Sequence, residues 1–184
     1  RPTFHCSNAI PVSPLIVLCY NPFIGSPNMS LVIAFTGREG AVMAGDLREV
    51  LMKGPDDAIC GFEQELYSGT IRTDPDLRKR AVEKGILLQV RDDKCKVSDH
   101  DGILVGEVTE SEGDRVRRRR LYIVCGAYAI VDINRDLPVL KQEGKGSTFV
   151  VLGNDVTKRI ASEMIRSEWE GGTFPDAVRL IIRI

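Results

Sequence analysis

The chain has 184 residues, of which 43% are apolar and 28% charged, and its formal net charge is −1. This length and composition suffice for one domain with a hydrophobic core. The balanced charge excludes a global field that would attract nucleic acid or a membrane surface, and no apolar run approaches the roughly 18 residues of a transmembrane helix.

Residues 1–29 differ in composition from the rest of the chain. They contain five prolines and no acidic residue, and the first acid is Glu39. Three interpretations remain open: a secretory signal centred on Pro14–Tyr20, a propeptide whose removal exposes Ser30, or untranslated sequence upstream of a start at Met29. We favour the third and expect residues 1–28 to be extraneous and disordered. Removal of Met29 would leave a free amine on Ser30.

The next segment predicts a β-hairpin followed by two helices. Leu31–Phe35 and Ala41–Ala44 are apolar runs joined by a glycine-containing turn, which is typical of a hairpin. Because both runs are apolar at nearly every position, we expect them to be buried on both faces. Gly61–Ser68 predicts a short helix, and a second helix is predicted to start with Asp74 as its cap and to end at Gly85.

The remainder predicts strands followed by helices. The strand-like segments are Ile86–Val90, Gly102–Val108, Leu121–Ile133 and Thr148–Leu152. Asn154 or Asp155 caps an amphipathic helix, and Thr173 opens a last helix inside which the chain stops. This order predicts an α+β fold with segregated layers, with a C-terminal portion missing.

Cysteine and histidine bear on the redox compartment and on metal binding. Five cysteines occur without a C-x-x-C pair, and the only histidines are His5 and His100. This pattern is typical of free thiols in a reducing, cytoplasmic compartment rather than of a disulfide framework. We therefore expect no metal site and no cofactor.

The residues from Ser30 to Arg48 form a spaced pattern that resembles a known superfamily. Asp46 follows Ser30 by 16 positions, Gly40 lies in the turn between them, and Arg48 follows Asp46. This resembles the opening of mature proteasome β subunits, which begin with a threonine where this chain has Ser30. The spacing from nucleophile to aspartate matches without a gap.

Within that superfamily, residues 29–184 resemble the archaeal connectases of methanogens. The resemblance is carried by Glu65–Gly69, Gly102–Val108, Arg117–Tyr122, Gly126–Ile133 and Phe149–Asn154. It implies an N-terminal nucleophile domain built as a proteasome-like αββα sandwich, incomplete at its C-terminal end. It also implies a protein ligase that attacks the Asp–Pro bond of a Lys-Asp-Pro-Gly-Ala motif, with a subunit of the methanogenic methyltransferase complex as partner. A proteasome-like peptidase and a catalytically inactive binding module remain the alternatives.

The requirements of an N-terminal serine nucleophile follow from general chemistry, independently of the family resemblance. A serine hydroxyl needs an adjacent base, and the α-amine of the first residue, with a pKa of about 7.7–8.0, supplies one. A nearby lysine lowers that pKa, and a carboxylate holds the lysine in place. We assign Ser30 as nucleophile and base, Asp46 as the orienting carboxylate and Lys53 as the lysine. Lys53 departs from proteasome subunits, which place their lysine farther along.

Other polar residues receive secondary assignments. The backbone N–H of Gly61 is a candidate oxyanion donor, and Ser147 is a candidate neighbour of the amine. Arg48 is expected to be a structural ion-pair partner. The run Arg117–Arg120 is interpreted first as a solvated face or a protected strand edge, then as a site for an acidic peptide. Nucleic acid is the least favoured partner, because aromatic residues are few.

Overall fold

The computed structural model describes residues 13–20, 30–112, 115–134 and 137–184. The predicted disorder of residues 1–28 does not hold for Leu15–Tyr20, which form a strand. Residues 1–12 and 21–29 lie outside the described residues.

The described part of the chain forms strands β1–β11 and helices α1–α4. The strands are β1 Leu15–Tyr20, β2 Leu31–Thr36, β3 Ala41–Asp46, β4 Glu49–Lys53, β5 Leu87–Arg91, β6 Val97–His100, β7 Ile103–Glu112, β8 Arg115–Val124, β9 Ala127–Asn134, β10 Leu137–Lys145 and β11 Thr148–Gly153. The helices are α1 Asp56–Tyr67, α2 Asp74–Glu83, α3 Asp155–Glu168 and α4 Phe174–Arg183.

These strands form three sheets. A four-stranded sheet has the order β1-β3-β2-β11, a five-stranded sheet has the order β10-β9-β8-β7-β6, and β4 pairs with β5. Neighbouring strands are antiparallel except that β1 runs parallel to β3. The sheets are therefore antiparallel apart from one parallel edge strand, which the upstream segment contributes.

The predicted hairpin is β2–β3. Val32 pairs with Gly45 and Thr36 with Ala41, and the N–H of Gly37 donates to the carbonyl of Gly40 at 2.9 Å. Nearly every residue of both strands is buried, because one face packs on the second sheet and the other on helices. The apolar runs thus predicted both the hairpin and its two-sided burial.

The main core lies between the two large sheets. Val32, Ala34 and Met43 of the first sheet pack there against Leu104 and Leu121 of the second. On the opposite face of the first sheet, a second apolar cluster joins β2 and β3 to α3 and α4. The order of layers is therefore helices, sheet, sheet, which confirms the α+β class.

Helices α1 and α2 pack elsewhere. Their buried residues Phe62, Leu66 and Leu77 form a third cluster with Met52 and Leu88 of the β4–β5 pair. The two helices thus cover the small sheet, and this unit lies beside the point where β3 passes into β4.

Several predicted boundaries shift by a few residues. Helix α1 begins at Asp56 rather than Gly61, because two acidic residues occupy its first turn and favour the positive end of the helix dipole. Thr73 rather than Asp74 caps α2, and Asn154 caps α3. The segment predicted as one strand over Leu121–Ile133 is two strands, which meet at a turn where Gly126 has φ +74°.

Candidate functional site

The site begins where Ser30 enters β2. The N–H of Leu31 donates to Oδ1 of Asp46 at 3.3 Å, so the peptide group that follows Ser30 contacts the aspartate. Ser30 is half-buried, and its carbonyl oxygen lies so close to Gly153 that a Cβ there would be only 2.8 Å away. The hairpin register therefore places Asp46 beside the peptide group that follows Ser30.

A buried lysine contacts the same aspartate. Nζ of Lys96 donates to Oδ1 of Asp46 and to the carbonyl of Arg48, and it lies 3.2 Å from the carbonyl oxygen of Asp46. The side chains of Lys96 and Asp46 are 1% and 2% exposed. A charged pair taken so far out of water survives only with such direct partners.

Two features of the fold place Lys96. Its own carbonyl accepts a hydrogen bond from the N–H of Glu107 on β7 at 2.8 Å, which fixes its backbone to the second sheet. Gly45 precedes Asp46, and a Cβ at Gly45 would be 3.3 Å from Cβ of Lys96. The absent side chain of Gly45 thus lets the lysine lie across the end of β3.

Burial controls the protonation of this pair. Desolvation raises the pKa of Asp46 to about 6, although the charge and hydrogen bond of Lys96 and the N–H of Leu31 act in the opposite direction. Desolvation also lowers the pKa of Lys96, and Asp46 opposes that change. Oδ2 of Asp46 is buried and finds no hydrogen-bond donor among the described residues. The carboxylate therefore has unused capacity to accept a hydrogen bond.

Ion pairs fix the loop that carries Lys96. Arg48 is 3% exposed and contacts Asp74 at 2.5 Å and Asp92 at 3.3 Å. Lys94 pairs with the buried Glu49. These contacts confirm Arg48 as a structural ion-pair partner, and they tie the loop before Lys96 to α2 and to the start of β4.

A second set of polar contacts lies at the end of β11, beside Ser30. Asn154 caps α3 by accepting from the N–H of Thr157 at 2.9 Å, and its side-chain amide donates to the hydroxyl of Tyr67 on α1. Burial raises the pKa of Tyr67 to about 12, against the effect of Asn154. The hydroxyl of Tyr67 thus stays protonated at neutral pH and links α1 to the strand end that contacts Ser30.

The structure does not bring Lys53 to this site. Lys53 is exposed at the last residue of β4, roughly 13 Å along the strand from Glu49 at about 3.3 Å per residue. Two further lysines are not at the site either. Lys84 pairs with Glu65 at 3.0 Å, and Lys79 is exposed on α2. The lysine on Asp46 is Lys96, which the sequence analysis missed because β6 has no clear alternation of apolar and polar residues.

The two secondary candidates also lie elsewhere. Gly61 is in the interior of α1, where backbone N–H groups bond within the helix. Ser147 precedes Thr148, which pairs with Thr36 at the far end of β2, roughly 20 Å from Ser30 at about 3.3 Å per residue. The structure therefore supports neither Gly61 as the oxyanion donor nor Ser147 as a neighbour of the amine.

The arginine run lies on β8, the middle strand of the five-stranded sheet. The interpretation as a protected sheet edge is therefore wrong. Arg119 bonds to the buried Asp132 of β9 at 2.8 Å, and Arg120 bonds to Glu107 of β7 at 2.5 Å. Cross-strand pairs of opposite charge thus account for neighbouring arginines that point to opposite faces of the sheet.

The described residues contain neither a metal-ligand cluster nor a membrane-spanning helix. Within them, no three His, Cys, Asp or Glu side chains converge as metal ligands. None of the helices α1–α4 is long and apolar enough to cross a membrane.

A known family profile matches most of the chain. The profile described as Connectase MJ0548-like, N-terminal domain, matches residues 29–184. No curated protein matches the chain. The matched span begins one residue before Ser30 and contains Asp46 and Lys96.

Proposed function

Because the chain belongs to the connectase family, we propose that it is a protein ligase that uses Ser30 as an N-terminal nucleophile. The observation that carries the proposal is the contact of one buried carboxylate, Asp46, with both the Leu31 N–H and Lys96. An N-terminal serine that is activated by its own amine needs a cation and an orienting carboxylate nearby, and this contact supports such a role. The proposal includes the proteasome-like αββα architecture and a cytoplasmic location.

The three residues have separate roles in the proposal. Ser30 supplies the hydroxyl and, once Met29 is removed, the α-amine that accepts its proton. Lys96 takes the role that the sequence analysis gave to Lys53, and its positive charge lowers the pKa of the amine. Asp46 positions Lys96 through their direct contact, and it positions Ser30 through the peptide group that follows that residue.

The reaction proceeds by acyl transfer. Oγ of Ser30 attacks the aspartyl carbonyl of an Asp–Pro bond, and the α-amine takes the hydroxyl proton. The C–N bond breaks, the proton passes to the proline nitrogen, and the segment that starts with proline leaves. The acyl group is then held as an ester on Ser30, or as an amide after transfer to its amine. The amine of a second peptide attacks this acyl group, the bond from the acyl carbon to Ser30 breaks, and the proton lost by the attacking amine returns to the leaving atom of Ser30. A peptide bond is thereby restored.

The substrate follows from the family alone. We propose a peptide that contains Lys-Asp-Pro-Gly-Ala, and as natural partner a subunit of the methanogenic methyltransferase complex. The balanced charge of the chain gives no reason to add nucleic acid or a membrane surface as a partner.

One experiment distinguishes three outcomes: ligation, hydrolysis, and binding with no covalent reaction. A form that begins at Ser30 is incubated with a peptide that contains the motif and with a second peptide that starts with proline, and products are identified by mass. We expect a ligated peptide, and loss of both the adduct and the product in Ser30→Ala. Free acid as the only product would identify a peptidase. An adduct that persists in Ser30→Ala would refute Ser30 as the nucleophile.

A further inference from the structure

The upstream strand β1 packs closely against the domain. It pairs with β3 along its whole length, from Leu15 opposite Ala41 to Tyr20 opposite Asp46. Leu15 and Val17 pack on the core between the sheets, whereas Ile16 and Leu18 pack on the helix side. Strand β1 therefore covers the edge of β3 that ends at the site aspartate.

Two thiols meet where β1 approaches the loop before β6. Sγ of Cys19 lies 3.0 Å from Sγ of Cys95, and both residues are exposed. About 1 Å of side-chain movement separates this contact from a disulfide bond of about 2.05 Å. The pair is thus close enough to be joined without rearrangement of the strands.

Backbone contacts support the same juxtaposition independently of the thiols. Cys19 is the partner of Gly45 across the sheet. A Cβ at Gly45 would lie 3.3 Å from Cβ of Lys96 and 2.9 Å from Cγ1 of Val97. Residues 96 and 97 therefore lie over Gly45, and Cys95, next to them in the chain, is placed beside Cys19.

We propose that Cys19 and Cys95 form an oxidisable dithiol that closes to a disulfide and fastens β1 to the loop that carries Lys96. The oxidant is a small disulfide such as oxidised glutathione. One cysteine thiolate attacks it and releases a glutathione thiol, and the other cysteine then displaces the second glutathione. The two cysteines lose two protons and two electrons in total, and one glutathione disulfide becomes two thiols.

Partial burial and the contact with Cys95 raise the pKa of Cys19 to about 11. Since the thiolate is the attacking species, this raised pKa assigns the first attack on the oxidant to Cys95 and the second step to Cys19. A thiol close to the mixed disulfide on Cys95 then resolves it. The pair therefore closes faster than two isolated thiols would.

The disulfide has a consequence for processing, and this part rests on the proposed function. The consequence applies to the propeptide interpretation of the upstream segment, with which the pairing of β1 to β3 agrees. Cleavage before Ser30 then separates β1 from the domain, and a Cys19–Cys95 bond would keep it attached. The retained strand would continue to occupy the edge of β3 that ends at Asp46. In a reducing environment the thiols stay free and the strand can leave.

The first experiment maps the bond in the full chain and needs no activity. The reduced, folded chain is incubated with oxidised glutathione, and its intact mass and tryptic peptides are measured. We expect the loss of two hydrogen atoms and a link between the peptide Cys95–Lys96 and the peptide that contains Cys19. Cys19→Ser and Cys95→Ser should abolish the link, whereas Cys60→Ser, the matched control, should keep it.

The peptide that contains Cys19 also contains Cys6, so Cys6→Ser is a second control. A link that is lost in Cys6→Ser but kept in Cys19→Ser would overturn the proposal, as would stable glutathione adducts without a link. The oxidised wild type should also unfold at a higher urea concentration than the reduced form, because a closed loop of 76 residues restricts the unfolded chain. An unchanged midpoint would contradict a bond formed without strain.

The second experiment tests retention of β1. A site-specific protease sequence is placed so that cleavage occurs before Ser30, and the cut chain is analysed with and without reductant. We expect the upstream fragment to remain attached until reductant is added. An upstream fragment that stays bound to the domain after reductant is added would overturn the role of the bond in the retention of β1.

Discussion

Lys96 donates to the carboxylate of Asp46 across 50 residues of chain, and both side chains are almost completely buried. Two sheets meet at this pair, since Asp46 ends β3 of the first and Lys96 precedes β6 of the second. The contact therefore couples the stability of the sandwich to the geometry around Ser30, and variants of the two residues can separate these two effects.

Removal of the lysine should destabilise the protein and abolish adduct formation. Lys96→Met leaves the buried carboxylate of Asp46 without its cation, and breaking a buried pair in this way costs about 3–5 kcal/mol. Lys53→Met is the matched control, because Lys53 is exposed at the end of β4. Urea unfolding and intact-mass detection of the peptide adduct should show a loss only for Lys96→Met. Equal losses for the two variants would contradict the assignment of Lys96.

The double variant Asp46→Asn/Lys96→Met should separate stability from activity. Because both charges are removed together, their desolvation costs vanish, and such replacements are often neutral or stabilising. We expect unfolding at pH 7 to require at least as much urea as for the wild type, with no adduct formed. Recovery of adduct formation in the double variant would show that the pair has only a structural role.

The pair should also produce a characteristic dependence of stability on pH. The folded state raises the pKa of Asp46 from 3.8 to about 6, so it binds more protons than the unfolded state between these values. The free energy of unfolding contributed by Asp46 therefore falls as pH rises through this window, by about 3 kcal/mol in total. Above pH about 6 this contribution is fully lost.

The measurement compares urea unfolding of the wild type and of the double variant Asp46→Asn/Lys96→Met at several pH values. The difference between the two proteins removes the contributions of the other acids. We expect the wild type to lose stability relative to the variant from pH 4 to pH 6. A difference that stays constant, or that changes in the opposite direction, would show that burial does not outweigh Lys96 and that the pKa of Asp46 is not raised.

Gly106→Ala should force the two sheets apart near the site. A Cβ at Gly106 would lie 2.7 Å from Cγ1 of Val32 and 2.8 Å from Sδ of Met43, and overpacking of this kind costs about 1–3 kcal/mol. Gly61→Ala, on α1, is a control in which the new Cβ meets only Nζ of Lys84 at 3.4 Å. Thermal unfolding should show a loss for Gly106→Ala and none for Gly61→Ala. Similar changes in both would contradict the close approach of the sheets.

Local patterns predicted the first half of the site but not the second. The apolar runs around the glycine-containing turn fix the hairpin register, and that register brings Ser30 next to Asp46. Lys96 reaches the pair through the packing of one sheet on another, and no periodicity in residues 92–100 indicates this. Lys53 was chosen because it lies only seven positions after Asp46 in the sequence. That choice is wrong, because Lys53 is exposed at the far end of β4. The domain boundary at residue 29 stays a prediction.

Long-range pairing also explains the other differences. Strand β1 was not expected, because its six apolar residues lie in a proline-rich segment without periodicity, and its partner β3 is 26 residues away. The charge of the arginines on β8 suggested a strand at the edge of a sheet. In the structure β8 lies inside the sheet, where Asp132 and Glu107 on the two neighbouring strands pair with Arg119 and Arg120. In both cases the deciding contact joins residues that no local pattern relates.

The account depends on a free amine at Ser30, and one mass measurement tests this directly. The chain that retains residues 1–29 and the form that begins at Ser30 are each incubated with a peptide that contains Lys-Asp-Pro-Gly-Ala, and the covalent adduct is quantified. The account predicts an adduct only on the form that begins at Ser30. An equal yield on the chain whose Ser30 nitrogen remains in a peptide bond would contradict it.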